Sequence, residues 1–208
     1  MPEYSVFLPE VLPEAPGCPD VTVEDKAENV VREFCNRTWL WDRWTDLYLD
    51  PGVDRYAVNV PGAEIVSIIE VRLDNTPAKP TTGMGAGEAD NNYDAPEGTI
   101  WEGWMMEPPN FLRLARLPVE SDMIFIKTVL RPRRGHGSFP DFIWEAYTHH
   151  LVSGVLASLM IQRGTTWYSP DLAVMHNQIF NQGIARAKMN KAKGFTNKNL
   201  RVKPRRFA

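Results

Sequence analysis

Two adjacent histidines, His149 and His150, are the first candidates for metal chemistry in the sequence. They lie in a segment with helical spacing, one turn after Glu145. Neighbouring residues of a helix point about 100° apart, so the two imidazoles would not face one ion without help from elsewhere. Glu145 and His149 are spaced as a helical ion pair, which is a commoner arrangement than a two-residue metal site. No HExxH or CxxC motif accompanies them, so a metal enzyme or hydrolase is the least favoured interpretation.

A glycine-rich run, GMGAG at Gly83–Gly87, superficially resembles a phosphate-binding loop. A phosphate-binding loop follows a strand, opens a helix and often carries a lysine. Here Glu88 and Asp90 follow instead, and their carboxylates would repel a phosphate. The run is better explained as part of a flexible loop, and we predict no cofactor.

The cysteines and the spaced aspartates do not form an arrangement typical of an active site either. Cys18 and Cys35 fit no disulfide framework or metal spacing, and Cys35 falls on an apolar helical face where a buried, inert thiol is expected. Asp46, Asp50 and Asp54 are four residues apart, but the spacing crosses a Pro-Gly turn, which favours solvated turn residues. We therefore predict no catalytic residue and no enzyme activity.

Charge is distributed very unevenly along the chain, although its formal net charge is only −3. Residues 1–50 contain eleven acidic and four basic side chains, whereas no acidic residue follows Asp171. The final residues, from Arg186 to Ala208, contain nine basic side chains. Such a bipolar chain could bind nucleic acid through its basic part or place that part on an acidic protein surface.

The basic C-terminal arm, residues 194–208, has three possible interpretations. It could be a solvated tail, a nonspecific DNA contact, or an arm that becomes ordered on a neighbouring subunit. Single-strand binding would need aromatic residues interleaved with the basic ones, and the arm offers only Phe195 and Phe207. The third interpretation suits basic residues around a few apolar anchors, namely Phe195, Leu200, Val202 and Phe207. A second basic patch, RPRRGHG, lies at Arg131–Gly137.

The helices are predicted from apolar periodicity. Four prolines in Leu8–Asp20 favour an extended or turning segment, after which Thr22 is a candidate N-cap for a helix over 22–41. Two helices are predicted over 140–193, with Ser169 as an N-cap and Pro170 at the first helical position. The wide apolar arc of the first of these predicts a largely buried helix.

Between these helices the period changes to that of strands. Short β-branched runs closed by turn residues predict a β insertion over 45–132, with an antiparallel sheet of about four to six strands. A long loop is predicted at 76–98, which is poor in apolar residues. The fold class is therefore α+β: a single domain over 1–208, in which a small helical bundle carries an inserted antiparallel sheet, an extended N-terminal segment and a basic C-terminal arm.

Localisation signals are not evident in the sequence. No basic segment followed by an apolar run begins the chain, and no run approaches eighteen apolar residues. The sequence therefore predicts no signal peptide and no membrane contact. It predicts a location in an ordinary reducing cytoplasm, or wherever a particle assembled in the cytoplasm goes.

Three stretches carry a resemblance to a known family. They are LPEVLPEAPGCPDVTVEDKAENVVREFCNRTWLW, FPDFIWEAYTHHLVSGVLASLM, and WYSPDLAVMHNQIFNQGIARAKMNKAKGF continued by LRVKPRRF. In this order they resemble the head-to-tail adaptor (connector, head-completion) proteins of tailed bacteriophages. The likeness covers almost the whole chain apart from Thr76–Glu107.

The resemblance implies a structural protein of the virion neck, assembled in the host cytoplasm. Such adaptors form a homo-oligomeric ring, usually of twelve copies, beneath the portal. The ring continues the channel for double-stranded DNA, through which the genome is ejected, and receives the next tail or stopper protein. The C-terminal segment would dock on the portal or on an adjacent subunit, through Phe195, Leu200, Arg201, Val202, Lys203, Arg205, Arg206 and Phe207. The alternative is a DNA-binding accessory protein that uses the same basic arm.

Overall fold

The computed structural model describes residues 1–73, 76–78, 103–115, 118 and 121–195. Its contacts divide the chain into a helical unit, Met1–Leu40 with Arg134–Ala208, and a strand unit, Trp41–Arg133. Helices therefore precede and follow an antiparallel insertion, which is the predicted α+β organisation. The prediction of one domain over 1–208 stays a prediction.

The helical unit is built on three long helices. After a 3-10 turn at Tyr4–Phe7 and the short α1 at Leu8–Val11, the long helices are α2 at Asp20–Thr38, α3 at Asp141–Met160 and α4 at Pro170–Ala192. Helix α3 packs against both α2 and α4, and its residues 151–156 are all buried. The predicted pair of helices over 140–193 is confirmed. Ser169 holds the N-cap position of α4 and Pro170 opens the helix, although the Ser169 side chain makes no capping hydrogen bond.

The N-terminal segment is not extended, so that alternative was wrong; residues 12–14 and 16–17 are turns, as the other alternative predicted, and Leu8–Val11 is helical, which was not predicted. Pro9 occupies the first turn of α1, where a proline removes no helical hydrogen bond. Phe7, Val11 and Ala15 are fully buried, and their spacing of four residues is helical. Proline content therefore misled the prediction, because these prolines fall where short helical turns tolerate them.

Helix α2 is shifted towards the N-terminus relative to the predicted 22–41. It begins at Asp20 with Pro19 in the N-cap position, so Thr22 is not its cap. Asp20 in the first turn complements the positive end of the helix dipole. The helix ends at Thr38 because Trp39 adopts the left-handed conformation, with φ of 54°, while its N–H donates to the carbonyl of Cys35.

The strand unit contains two antiparallel sheets among its described residues, whereas the sequence predicted one. Its first strand begins at Asp42, before the predicted 45, and its last ends at Pro132 as predicted. One sheet has the strand order β1-β7-β3-β4 and the other β2-β6-β5. The strands are β1 Asp42–Leu49, β2 Arg55–Ala57, β3 Ala63–Leu73, β4 Thr76–Pro77, β5 Trp104–Glu107, β6 Phe111–Leu114 and β7 Asp122–Pro132.

Both sheets contribute to one hydrophobic core. Ile124 and Ile126 of β7 and Val71 of β3 join Leu112 of β6 and Trp104 of β5 in a single buried cluster. Strand β5 was not predicted, since a WMME run lacks clear alternation. The predicted loop 76–98 starts later than expected, because Thr76–Pro77 pairs with the end of β3. Residues 79–98 of that loop, including GMGAG, lie outside the described residues.

Candidate protein-interaction surface

Helices α2 and α4 bring their basic residues together where α2 ends. Arg37 donates from Nη2 to Oδ1 of Asn181 over 2.8 Å, and Lys191 donates to the carbonyl of Trp39. Arg37 also pairs with Glu33 at 2.9 Å, one turn earlier on α2. Cations near a helix C-terminus are favoured by the dipole. We call this region the basic end; it comprises Arg37, Arg186, Lys188, Lys191 and Lys193.

A cleft opens at the basic end, with a volume of about 510 Å³. Its lining combines three cations with an indole, since Arg37, Lys188 and Lys191 surround Trp39, which is 45% exposed. A half-exposed tryptophan beside basic groups is typical of protein interfaces, where Trp and Arg are enriched. This combination was missed in the sequence, where Trp39 was placed inside the helix; the Arg-Thr-Trp run at the helix end was the available signal.

The predicted arm begins beside the basic end. Gly194 and Phe195 both have positive φ, and the Phe195 N–H donates to the carbonyl of Asn190, which ends α4 in a tight turn. The Phe195 side chain is 68% exposed. The other predicted contact residues of the arm lie outside the described residues; they are Leu200, Arg201, Val202, Lys203, Arg205, Arg206 and Phe207.

Three acidic residues lie towards the opposite end of the helical unit. Asp20 lies in the first turn of α2 and Asp171 in the first turn of α4. Glu14 approaches the same region, with its Oε2 3.3 Å from Nε2 of His176 on α4. The uneven charge of the sequence thus becomes a unit with an acidic end and a basic end.

The second basic patch, Arg131–Gly137, is engaged in contacts within each unit. In the strand unit Arg131 pairs with Glu64 at 3.0 Å. In the helical unit Arg134 donates to Oδ1 of Asn29, and the Gly135 N–H donates to Oε1 of Glu28 over 2.7 Å. These partners neutralise or occupy much of the patch, so it is a weaker candidate for nucleic-acid binding than the basic end.

Helix α4 also exposes large apolar side chains. Leu172, Val174, Met175 and Met189 are exposed, although Phe180 and Ile184 on the same helix are buried. Leu172, Val174 and Met175 lie close together near the start of α4, whereas Met189 lies near its end beside the basic end. The cluster near the start is a candidate contact with another protein. Together with the basic end, it makes α4 the main candidate interaction surface.

The two histidines of α3 differ in their surroundings, since His149 is exposed and His150 packs against α4. The rings of His149 and His150 are 5.7 Å apart, and Nδ1 of His150 lies 3.2 Å from the carbonyl of Ile179. His150 packs against Gly183 so closely that a Cβ at Gly183 would lie 2.5 Å from the His150 side chain. Among the described residues, no three His, Cys, Asp or Glu side chains are grouped to hold a metal ion.

Burial of His150 makes stability depend on pH. Desolvation lowers the pKa of His150, and the nearby His149 and Arg186 act in the same direction, although the Ile179 carbonyl opposes them. His150 therefore binds a proton more readily in the unfolded chain than in the folded one. The free energy of unfolding is highest above the usual histidine pKa of about 6.5 and decreases as the pH falls below it. We expect His150→Asn to flatten this decline, measured by urea denaturation across that range, with His136→Asn in an exposed loop as the control. An unchanged decline would contradict the assignment.

The cysteines are free and buried, as predicted for Cys35. Burial raises the pKa of Cys35 to about 12, so its thiol stays protonated at neutral pH. Of the three spaced aspartates, Asp50 is exposed, but Asp46 lies within β1 rather than in a turn. Asp54 was expected to be solvated and instead pairs with Arg113 at 3.1 Å.

Comparison with known proteins adds no assignment. No model of a known protein family matches the chain, and no curated protein sequence is significantly similar to it. In the part of the chain that the structure describes, no helix is both long and apolar enough to cross a membrane. The resemblance to phage adaptors therefore stays a prediction.

Proposed function

We propose that this protein is a structural component of a tailed-phage virion, an adaptor that forms a ring between the portal and the tail. The ring, of about twelve copies by the resemblance, would continue the channel for double-stranded DNA in the neck of the particle. Its partners would be further copies of itself, the portal protein, and the next tail or stopper protein. No catalytic step is part of this role.

The observation that carries the proposal is the surface of α4. One helix combines exposed apolar residues, the basic end and the start of the arm, and it ends beside a cleft that holds Trp39. Trp39 and Met189 lie beside the arginine and lysines of the basic end, and such a combination is suited to an interface between proteins. The opposite, acidic end gives each copy a complementary surface, as a closed ring with head-to-tail contacts requires.

The arm is the proposed attachment to the portal. Its basic residues Arg201, Lys203, Arg205 and Arg206 would supply electrostatic attraction. Its apolar residues Phe195, Leu200, Val202 and Phe207 would supply anchors. A segment that becomes ordered on binding loses conformational entropy, so apolar anchors are needed to make the contact stable.

Light scattering tests the proposal, with the purified protein alone and mixed with its candidate portal. We expect a large assembly with the intact chain, and its loss when Asn197–Ala208 is deleted. Because no apolar stripe of the bundle extends into those residues, the shortened chain should keep its fold, which circular dichroism and thermal melting would check. Unfolding on truncation would contradict an arm that serves only attachment.

A DNA titration separates the proposal from its alternative. The DNA-binding accessory protein predicts tight binding at physiological salt, a steep dependence on salt concentration, and loss of binding when the arm is deleted. A protein that ignores the portal but behaves in this way would replace the adaptor proposal. Binding to the portal with weak, nonspecific DNA affinity would support it.

A further inference from the structure

Strand β1 lies at the edge of its sheet. It pairs with β7 along its whole length, and in the described part of the chain no strand pairs with its other side. An eight-residue edge strand without proline or glycine presents a row of backbone groups that can accept a further strand. Among the described residues, this edge is therefore a candidate binding site for an extended segment.

The register shows which residues of β1 face the open side. The Leu130 N–H donates to the carbonyl of Trp41, so Trp41 and Leu130 form a hydrogen-bonded pair. In an antiparallel ladder such pairs alternate, which makes Thr45 and Leu47 hydrogen-bond to β7. The backbone N–H and C=O groups of Trp44, Asp46 and Tyr48 consequently point away from β7, towards the open edge.

The two faces of β1 differ in chemistry. Trp44, Asp46 and Tyr48 stand on the exposed face, where Tyr48 is 74% and Trp44 40% exposed. Leu47 lies on the other face and packs against the hydrophobic core while staying partly accessible. Arg72 and Lys127 already lie over the Trp44 ring, at 4.8 and 5.8 Å from its centroid. An incoming strand is therefore matched when it places apolar side chains beside Leu47 and a basic side chain beside Asp46.

The arm has this alternation in its sequence. Leu200 and Val202 are apolar, Arg201 and Lys203 are basic, and Pro204 follows. A period of two is that of a strand, and a proline ends a strand that must donate hydrogen bonds. The sequence from Asn199 to Lys203 therefore has the alternation of an amphipathic strand, and Pro204 marks where such a strand would end.

We propose that residues Asn199–Lys203 of one copy add as an antiparallel strand to the open edge of β1 in a second copy. Arg201 lies opposite Asp46, with Lys203 beside Trp44. Val202 and Leu200 then lie opposite Thr45 and Leu47 and extend the core. In this register Asn199, Arg201 and Lys203 exchange hydrogen bonds with β1, and Pro204 falls where no N–H is required.

This inference rests on the proposed function in one respect, since a ring supplies the neighbouring copy. It assigns the middle of the arm, residues 199–203, to a neighbouring copy instead of the portal, and leaves Arg205, Arg206 and Phe207 beyond Pro204 as the portal contacts. The occupant is a segment of this chain because its alternation matches the two faces of β1 and because Arg201 falls opposite Asp46. If each copy donates its arm to the next copy, the arms link the subunits around the ring.

Disulfide trapping between two singly substituted full-length chains tests the contact. Thr45→Cys on one chain and Val202→Cys on the other would form a non-hydrogen-bonded pair, whose Cα spacing of about 4.5 Å suits a disulfide. Because each chain carries one new thiol, the mixed cross-link reports contact between copies. The native Cys18 and Cys35 are buried, so they are poor competitors. The control pair is Thr45→Cys with Arg205→Cys, beyond Pro204.

We expect the mixed cross-link to form about a hundredfold faster than the control, because a docked strand holds the thiols at a high effective concentration. Adding Asp46→Arg to the first chain should slow it by about fivefold, as expected for an exposed ion pair. Arg201→Asp on the second chain should then restore the rate. Equal rates for the two thiol pairs, or no cross-link at millimolar protein, would overturn the proposal.

Portal binding, measured in parallel on the unsubstituted chain, separates this inference from the proposed function. A protein that binds the portal but shows no preferential cross-link overturns the strand addition and leaves the adaptor role standing. A preferential cross-link in a protein that ignores the portal supports the strand addition and argues against the adaptor role.

Discussion

Replacing Phe7 with alanine should lower the free energy of unfolding by about 3–5 kcal/mol, the range for a buried phenylalanine. Phe7 is fully buried in the N-terminal segment, its ring centroid 4.7 Å from that of Trp144 in α3 and 5.9 Å from that of Phe139. The substitution removes both aromatic contacts and leaves a cavity that the short helical turn cannot fill. Urea denaturation followed by tryptophan fluorescence and circular dichroism would measure the loss.

The matched control is Val21→Ala at the start of α2, where the side chain is 77% exposed. An exposed substitution should change stability by no more than about 0.5 kcal/mol. If Phe7→Ala cost as little as Val21→Ala, the N-terminal segment would not be an integral part of the helical unit, and its packing against α3 would be contradicted.

Periodicity identified most of the fold because long elements repeat their burial pattern many times. Helix α3 is largely buried as predicted, with Ile143, Tyr147 and Leu151 on its buried stripe, and the strands fall close to the predicted 45–132. The α+β class followed from these elements alone. Strand β5 and helix α1 span only four residues each, so their burial patterns are too short to be recognised in the sequence.

The errors share a physical cause, which is that tertiary contacts decided local conformation. Phe7 and Val11 fold the proline-rich segment into helical turns because burying them outweighs the extended preference of neighbouring prolines. Trp39 ends α2 by adopting a left-handed conformation that propensity disfavours, while its N–H and carbonyl both make hydrogen bonds. The separation of the strands into two sheets depends on pairings between distant residues, which alternation does not encode.

The candidate surface was foreseen in part. Its charge was visible as the absence of acidic residues after Asp171, and the start of the arm at Gly194 follows from the helix pattern. The cleft was not foreseen, because it requires Arg37 of α2 and Lys188 of α4 to meet. The open edge of β1 could not be foreseen either, since sequence spacing does not show which strand lies at the edge of a sheet.

Gly154 lies where three helices meet, so enlarging it should destabilise the helical unit. A Cβ at this position would lie 2.8 Å from the side chain of Val30 in α2 and 2.8 Å from that of Phe180 in α4. Overpacking a core costs about 1–3 kcal/mol, and the upper end applies because the obstructing atoms lie on two separate helices. Replacing a helical glycine returns about 1 kcal/mol of helix propensity. The net loss expected for Gly154→Leu is therefore about 2 kcal/mol.

Ala146→Leu is the matched control, since Ala146 lies on the exposed side of the same helix. It adds the same side chain with little change in propensity, and its stability should stay within about 0.5 kcal/mol of the parent chain. Equal stability of the two variants in urea would mean that α2 and α4 do not close on Gly154. A loss of stability in Gly154→Leu alone would show that a residue without a side chain sets the distance between α3 and its two neighbouring helices. That distance also sets the position from which α4 presents its exposed apolar residues and the basic end.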